Sequence, residues 1–245
     1  MQASRTVKLI GLALASMAGV AQGPLWAASV NVSPVVIEAD SPRKAVAVTV
    51  TNDSDRAVTY QADAFTWRQE NGTDRYDPTS DLLVVPSVVE IPPNRSQVIR
   101  VVLRTPTPSP VERAFRVMLE DVSDDVAPKE GKGLAFRFIH NLPVMIAPST
   151  KVVNSMQWKP CVAKASGQSC VSLRNNGNRR IKVASLTLGG DAWQQALPMK
   201  DQPNILAGAY REWNLPLAPD KTGPVRMVTV LTAQGETLLA SPGEF

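Results

Sequence analysis

The strongest constraint on this chain is a succession of short segments in which apolar residues recur at every second position. Ala45 to Asn52 (AVAVTVTN) alternates strictly. Val30 to Glu38, Val58 to Trp67, Gln97 to Arg104 and Ala114 to Val122 are similarly β-branched and apolar, and turn-forming residues punctuate them. Side chains of a strand point alternately to its two faces, so this pattern predicts half-buried strands. Asn71-Gly72 reads as a hairpin turn after Val58–Trp67. Leu82 to Ile91 contains a proline, which suits a broken or edge segment. No long amphipathic helix interrupts the series, so the fold class is all-β, built as sandwiches.

The first residues stand apart from this pattern. Arg5 and Lys8 precede an uncharged apolar stretch, Leu9 to Ala21, followed by small residues. That is the layout of a secretory signal peptide, and the stretch is short of the ~20 residues a spanning helix needs. Residues 1–28 are assigned to the leader, with a competing cleavage point near Gln22-Gly23. The remaining 217 of 245 residues suit two domains of about 100 residues each. Pro148-Ser149-Thr150 marks the expected boundary, giving domains at 29–148 and 149–245. No second apolar run is long enough to span, so no membrane insertion is expected.

The formal charge of +4 includes the two leader cations, and basic residues scatter without interleaved aromatics. Nucleic acid is therefore not an expected partner. Cys161 and Cys170 are the two cysteines. In a secreted chain, a pair around a Ser-Gly turn reads as a cross-strand disulfide pinning one hairpin. His140 is the single histidine, and no nucleophile motif, phosphate loop or metal-ligand spacing accompanies it. No enzyme activity, metal or cofactor is expected.

Leu134 to Ile146 (LAFRFIHNLPVMI) carries the functional information. In an extended strand Leu134, Phe136, Phe138, His140, Leu142, Val144 and Ile146 share one face; Arg137, Asn141 and Pro143 share the other. Pro143 has no N–H, which confines it to an edge strand or a bulge. An apolar edge is an aggregation hazard unless it is covered or used. Its use is strand addition: a partner pairs its backbone with the edge and takes alternate side chains into its own core. The bland reading, in which Leu134, Phe136 and Phe138 face this domain's own core, is open at this point.

The segments VNVSPVVIE, PSVVEIPPNRSQVIRVVLR, ERAFRVMLED and above all GLAFRFIHNLPVMIAP, in this order and spacing, resemble the PapD-like periplasmic pilus chaperones. The similarity covers the whole mature chain. It implies two immunoglobulin-like β-sandwich domains in a boomerang arrangement. It also implies a periplasmic chaperone that binds and caps pilin subunits by donor-strand complementation and delivers them to an outer-membrane usher. Leu134, Phe136 and Phe138 become the donor residues, with His140 one more position in the groove. The loop between Asp121 and Gly133 would order on subunit binding. The family holds the pilin carboxylate with an arginine in the first strand and a lysine in the last. Val36 and Pro143 occupy those positions here, as in the archaic or alternative branch, and Arg137 is the nearest candidate cation. An interdomain ionic cluster is carried over to Arg100, Asp121 and Asp220. Self-association through the edge strand is a further expected contact. The rival reading is a structural pilus or adhesin subunit with immunoglobulin-like domains.

Overall fold

The computed structural model describes residues 30–40, 45–104, 107–123 and 137–245. The assigned leader and the loop of residues 124–133 lie outside them, as do Leu134 and Phe136. Among the described residues there are eighteen strands and no helix.

The first sandwich packs two sheets face to face. One has the order β1(Val30–Ser33), β3(Val46–Asn52), β8(Arg95–Leu103), β6(Leu82–Val85). The other runs β2(Ile37–Ala39), β10(Ile139–Ile146), β9(Arg113–Asp121), β4(Val58–Glu70), β5(Thr73–Pro78), and β7(Val88–Ile91) also pairs with β4. The alternation predicted these faces. Val48, Val50, Ile99 and Val101 from one sheet meet Tyr60, Phe115, Val117, Leu119, Leu142 and Val144 from the other in one buried core. Side chains of this size contribute about 1.5–3 kcal/mol each when fully buried.

Two expected strands are divided. Val30–Glu38 breaks at Pro34, so β1 pairs with β3 in one sheet and β2 pairs with β10 in the other. Proline lacks the N–H that a continuous ladder needs. Leu82–Ile91 divides at Pro86, as the internal proline suggested. β4 extends beyond Trp67 to Glu70 and folds back into β5 through Asn71 (φ 50°) and Gly72 (φ 73°), the left-handed pair that an Asn-Gly hairpin turn requires.

The second sandwich comprises β11(Met156–Cys161), β12(Gln168–Asn175), β13(Ile181–Gly189), β14(Gln194–Pro198), β15(Asn204–Ile205), β16(Tyr210–Pro216), β17(Met227–Thr232) and β18(Thr237–Pro242). β14, β15 and β18 had no clear alternation and escape a sequence reading. Its core centres on Trp158, Val171, Leu173, Leu186, Leu188 and Val230. Trp67 and Met145 of the first sandwich join this second core.

The two sandwiches share a buried corner. Asn52 donates from Nδ2 to the carbonyls of Arg56 (2.7 Å) and Ile91 (3.0 Å) and accepts from the Ser54 N–H (3.0 Å). Asn175 donates to the carbonyls of Arg179 (2.8 Å) and Ile205 (3.0 Å) and accepts from the Gly177 N–H (2.9 Å). Each amide thus satisfies the backbone groups that its turn buries. The shared Asn-x-x-x-Arg spacing, NDSDR and NNGNR, is a repeat between the halves that a search for solenoid periods passes over.

Candidate functional site: a half-paired strand beside a cleft

All eight residues of β10 pair antiparallel with β9, but its other flank pairs with β2 only at Val144, Met145 and Ile146. Among the described residues no strand covers that flank from Ile139 to Pro143. The hydrogen-bond parity is fixed by the Asp121 N–H, which donates to the Phe138 carbonyl at 3.1 Å. Antiparallel ladders alternate, so Phe138, His140 and Leu142 direct their backbone groups at β9. Ile139, Asn141 and Pro143 direct theirs at the open flank. Pro143 therefore removes no bond from its own sheet.

The core-facing side of this strand changes character along its length. Leu142, Val144 and Ile146 are buried in the first core. His140 is half-buried, its ring 5.9 Å from that of Tyr60. Phe138, next in the same alternation, is 59% exposed, and Ile139 beside it is 55% exposed. Burial pushes the His140 pKa down. Burial, then the Asp121 charge, pushes Tyr60 up to about 12.

Val36 and Pro143 lie side by side, one step before the Ile37 and Val144 pair. Neither carries charge, and Val36 also lines a groove of about 580 Å³ whose other walls include Glu38, Arg180 and Lys182. Arg137, the candidate cation, is exposed and already paired with Glu120 at 3.1 Å. A second cation, Arg116, escaped the sequence reading. It lies opposite Pro143 on β9, its guanidinium 3.8 Å from the Trp67 ring centroid and 5.6 Å from that of Tyr76. Its Nη1 reaches only the Asn141 carbonyl and Oδ1, at 3.5 and 3.4 Å, and its buried Nε has no partner. Among the described residues no carboxylate lies within 4.0 Å of it. Burial pushes its pKa down. In ERAFRVMLED this arginine is one polar position of an alternating strand, and nothing local marks it.

The ionic cluster assigned to Arg100, Asp121 and Asp220 does not form. Ile99 and Val101 take the core side of β8, which puts Arg100 on the exposed face. Asp121 is buried and accepts from Ser123 N–H and Oγ at 3.0 and 2.6 Å. Asp220 is exposed and pairs with its neighbour Lys221 at 2.7 Å. Other residues make the ionic link between the sandwiches. Arg180 pairs with Glu112 at 2.6 Å and also with Glu38, and Arg179 lies 3.5 Å from Glu112. Burial pushes Glu112 up, and the Arg180 and Arg179 charges hold it back.

A second link comes from the β4–β5 hairpin. Asp74 accepts from Arg211 Nη2 at 2.7 Å, from Trp67 Nε1 at 2.9 Å and from Gln69 Nε2 at 2.8 Å. Gln69 also donates to the Asn204 carbonyl and accepts from the Leu206 N–H, both at 2.9 Å. Burial pushes Asp74 up, but the hydrogen bonds from Gln69, Trp67 and Arg211 outweigh it and leave the carboxyl below its ordinary value.

Cys161 and Cys170 face each other across β11 and β12 and form the expected disulfide. Among the described residues, no group of three or more His, Cys, Asp or Glu could hold a metal ion, and no helix is long and apolar enough to cross a membrane.

A family model described as the pili and flagellar-assembly chaperone, PapD N-terminal domain, matches residues 29–151. No curated protein sequence matches the chain. Among solved structures, a chain of the CsuC–CsuE chaperone–tip adhesion subunit pre-assembly complex, from the archaic chaperone-usher Csu pili of Acinetobacter baumannii, superposes with a TM-score of 0.67 at 16% identity. The match covers 89% of this chain and 100% of that one. A chain of the Salmonella enterica SafA pilin–SafB chaperone complex gives 0.59 at 15% identity, covering 88% of this chain and 95% of that one. The E. coli chaperone DraB gives 0.57 at 17% identity, covering 87% and 97%.

Proposed function

Since this chain belongs to the PapD-like family of pilus- and flagellar-assembly chaperones, a non-enzymatic family whose members are periplasmic, we propose that it acts in the periplasm by lending the open flank of β10 to an incomplete pilin subunit. The observation that supports this is the half-paired strand. Ile139, Asn141 and Pro143 offer backbone groups to a strand from outside, while Phe138 stands in solvent on the face that further along is core. A partner short of one strand gains a ladder from the first feature and a core side chain from the second. Burying Phe138 alone contributes about 1.5–3 kcal/mol; Leu134 and Phe136, the other two donors in this reading, lie outside the described residues. His140 closes the row against Tyr60 and marks where the lent face gives way to the chain's own core.

The partner's chain end would meet the uncharged pair Val36 and Pro143. Among the described residues Arg116 has no carboxylate within 4.0 Å, which favours it over the already paired Arg137 as the contact for a subunit carboxylate. An incoming carboxylate would give its guanidinium charge-assisted hydrogen bonds. In this reading the domains meet near residue 148, the outer-membrane usher receives the complex, and the free chain shields its open flank by pairing with a second copy. No catalysis is involved.

The test is recovery of a small β-rich subunit from periplasm when the two proteins are co-expressed. Replacing Leu134, Phe136 and Phe138 together with alanine should abolish recovery. Undiminished accumulation of the subunit would remove the donor assignment.

A further inference from the structure

After β18 the chain turns back over the outer face of β11 and β12, where the Gly243 N–H donates to the Trp158 carbonyl at 3.0 Å. Trp158, Val171 and Leu173 point into the core, so their neighbours form this outer face. Lys159 stands opposite Ser172, and Arg174 stands between Gln157 and Tyr210. Phe245 sits among them. Its ring centroid is 4.7 Å from Lys159 Nζ, 5.7 Å from Arg174 Cζ and 6.1 Å from the Tyr210 ring. Lys159 Nζ also donates to the Phe245 carbonyl oxygen.

Two cations and an aromatic wall converging on one ring make a recognition pocket for an aromatic side chain, because the ring face is electron-rich. Phe245 leaves part of that pocket unused. Ser172 is fully buried and its Oγ has no partner, and Arg174 Nε is also buried without one. Buried donors without acceptors carry a desolvation cost that a ligand with a further acceptor would relieve. We infer that the outer face of β11, β12 and β16 is a binding site for an aromatic residue of a polypeptide, filled in this structure by the chain's own Phe245. A partner segment in which a carboxylate accompanies the aromatic ring fits it better. The ring takes the place of Phe245 between Lys159 and Arg174, and the carboxylate supplies the acceptor that Arg174 Nε lacks. The site lies on the second sandwich, away from β10, so it stands or falls independently of the donor-strand reading.

The test is fluorescence anisotropy with a labelled, C-terminally amidated Ser-Pro-Gly-Phe-Glu-Gly peptide, in which a carboxylate follows the ring, against the full chain and its Phe245→Ala variant. Phe245→Ala should bind the peptide at least tenfold more tightly than the unaltered chain, and adding Arg174→Gln should reverse that gain. Equal binding by the variant and the unaltered chain, or a gain indifferent to Arg174, would overturn the inference. A thermal melt establishes that Phe245→Ala is folded. If it is not, Arg174→Gln in the otherwise intact chain is decisive through hydrogen exchange: the Gly243 amide should exchange at least tenfold faster than in the unaltered chain, and an unchanged rate would refute the site.

Discussion

Replacing Asn141 with proline probes the open flank of β10 with little disturbance to the fold. The Asn141 N–H points away from β9, so the substitution deletes no bond of the chain's own ladder. Proline is tolerated where the N–H side of an edge strand faces solvent, and Pro143 occupies such a position two residues on. His140, which would precede the new proline, is already extended, as that position prefers. Thermal stability should therefore change by no more than about 1 kcal/mol. The complex should suffer more. It loses one main-chain hydrogen bond, about 0.5–1.5 kcal/mol net, and leaves the partner's carbonyl buried and unpaired, about 1–3 kcal/mol. Together these give about 1.5–4.5 kcal/mol, so subunit affinity should fall by roughly tenfold to two thousandfold. Titration calorimetry with a purified subunit measures it, and Asn141→Ala, which keeps the N–H but loses the side chain near Arg116, is the control. If Asn141→Pro binds as tightly as Asn141→Ala while melting normally, this flank is not the pairing edge.

Other positions give independent expectations. Asp74→Asn should weaken the hold between the sandwiches by about 2–3 kcal/mol at neutral pH, because it leaves the Arg211 guanidinium without its counter-charge. The carboxyl is held below its ordinary value, so its contribution is full above the unfolded-state pKa of about 4 and is lost as pH falls through the folded value. Asp74→Asn should therefore flatten the acid limb of a stability–pH curve; a limb as steep as before would contradict the assignment. Arg116→Met should leave the melting temperature equal or higher, since it removes a half-buried cation with no carboxylate within 4.0 Å among the described residues, yet lower subunit affinity at least tenfold by calorimetry; unchanged affinity would exclude Arg116 as the carboxylate contact. Gly177→Ala should destabilise the second sandwich by about 1–3 kcal/mol in denaturant unfolding, because an added Cβ would lie 2.1 Å from the Val153 carbonyl oxygen; a neutral result would show that this corner yields.

Local signals were legible in the sequence wherever one stretch of chain determines the outcome. Asn71-Gly72 gave its turn through the two left-handed residues it supplies, the Ser-Gly turn between the cysteines gave the disulfide hairpin, and Pro143 marked an edge because it cannot donate. The misses depend on which distant segments meet. VNVSPVVIE reads as one β-branched stretch, and nothing in it says that the two sides of Pro34 join different sheets. Arg100 and Arg116 both occupy polar positions of alternating strands; the β4–β5 hairpin lays Trp67 and Tyr76 against Arg116 on the half-buried outer face of β9, while the outer face of β8 at Arg100 is in solvent. The packing of the two sandwiches assigns the ionic contacts to Glu112 with Arg180 and to Asp74 with Arg211, pairs separated by 68 and 137 residues.

Residue-resolved hydrogen exchange of β10, with and without a bound subunit, tests the central claim most directly. In the free chain kept dilute enough to be monomeric, the amides of Ile139 and Asn141 should exchange rapidly while those of His140 and Leu142 are protected by β9. Saturation with subunit should slow the first pair to the level of the second. Ile139 and Asn141 amides that stay fast in the complex, or are already slow in the monomer, would contradict it.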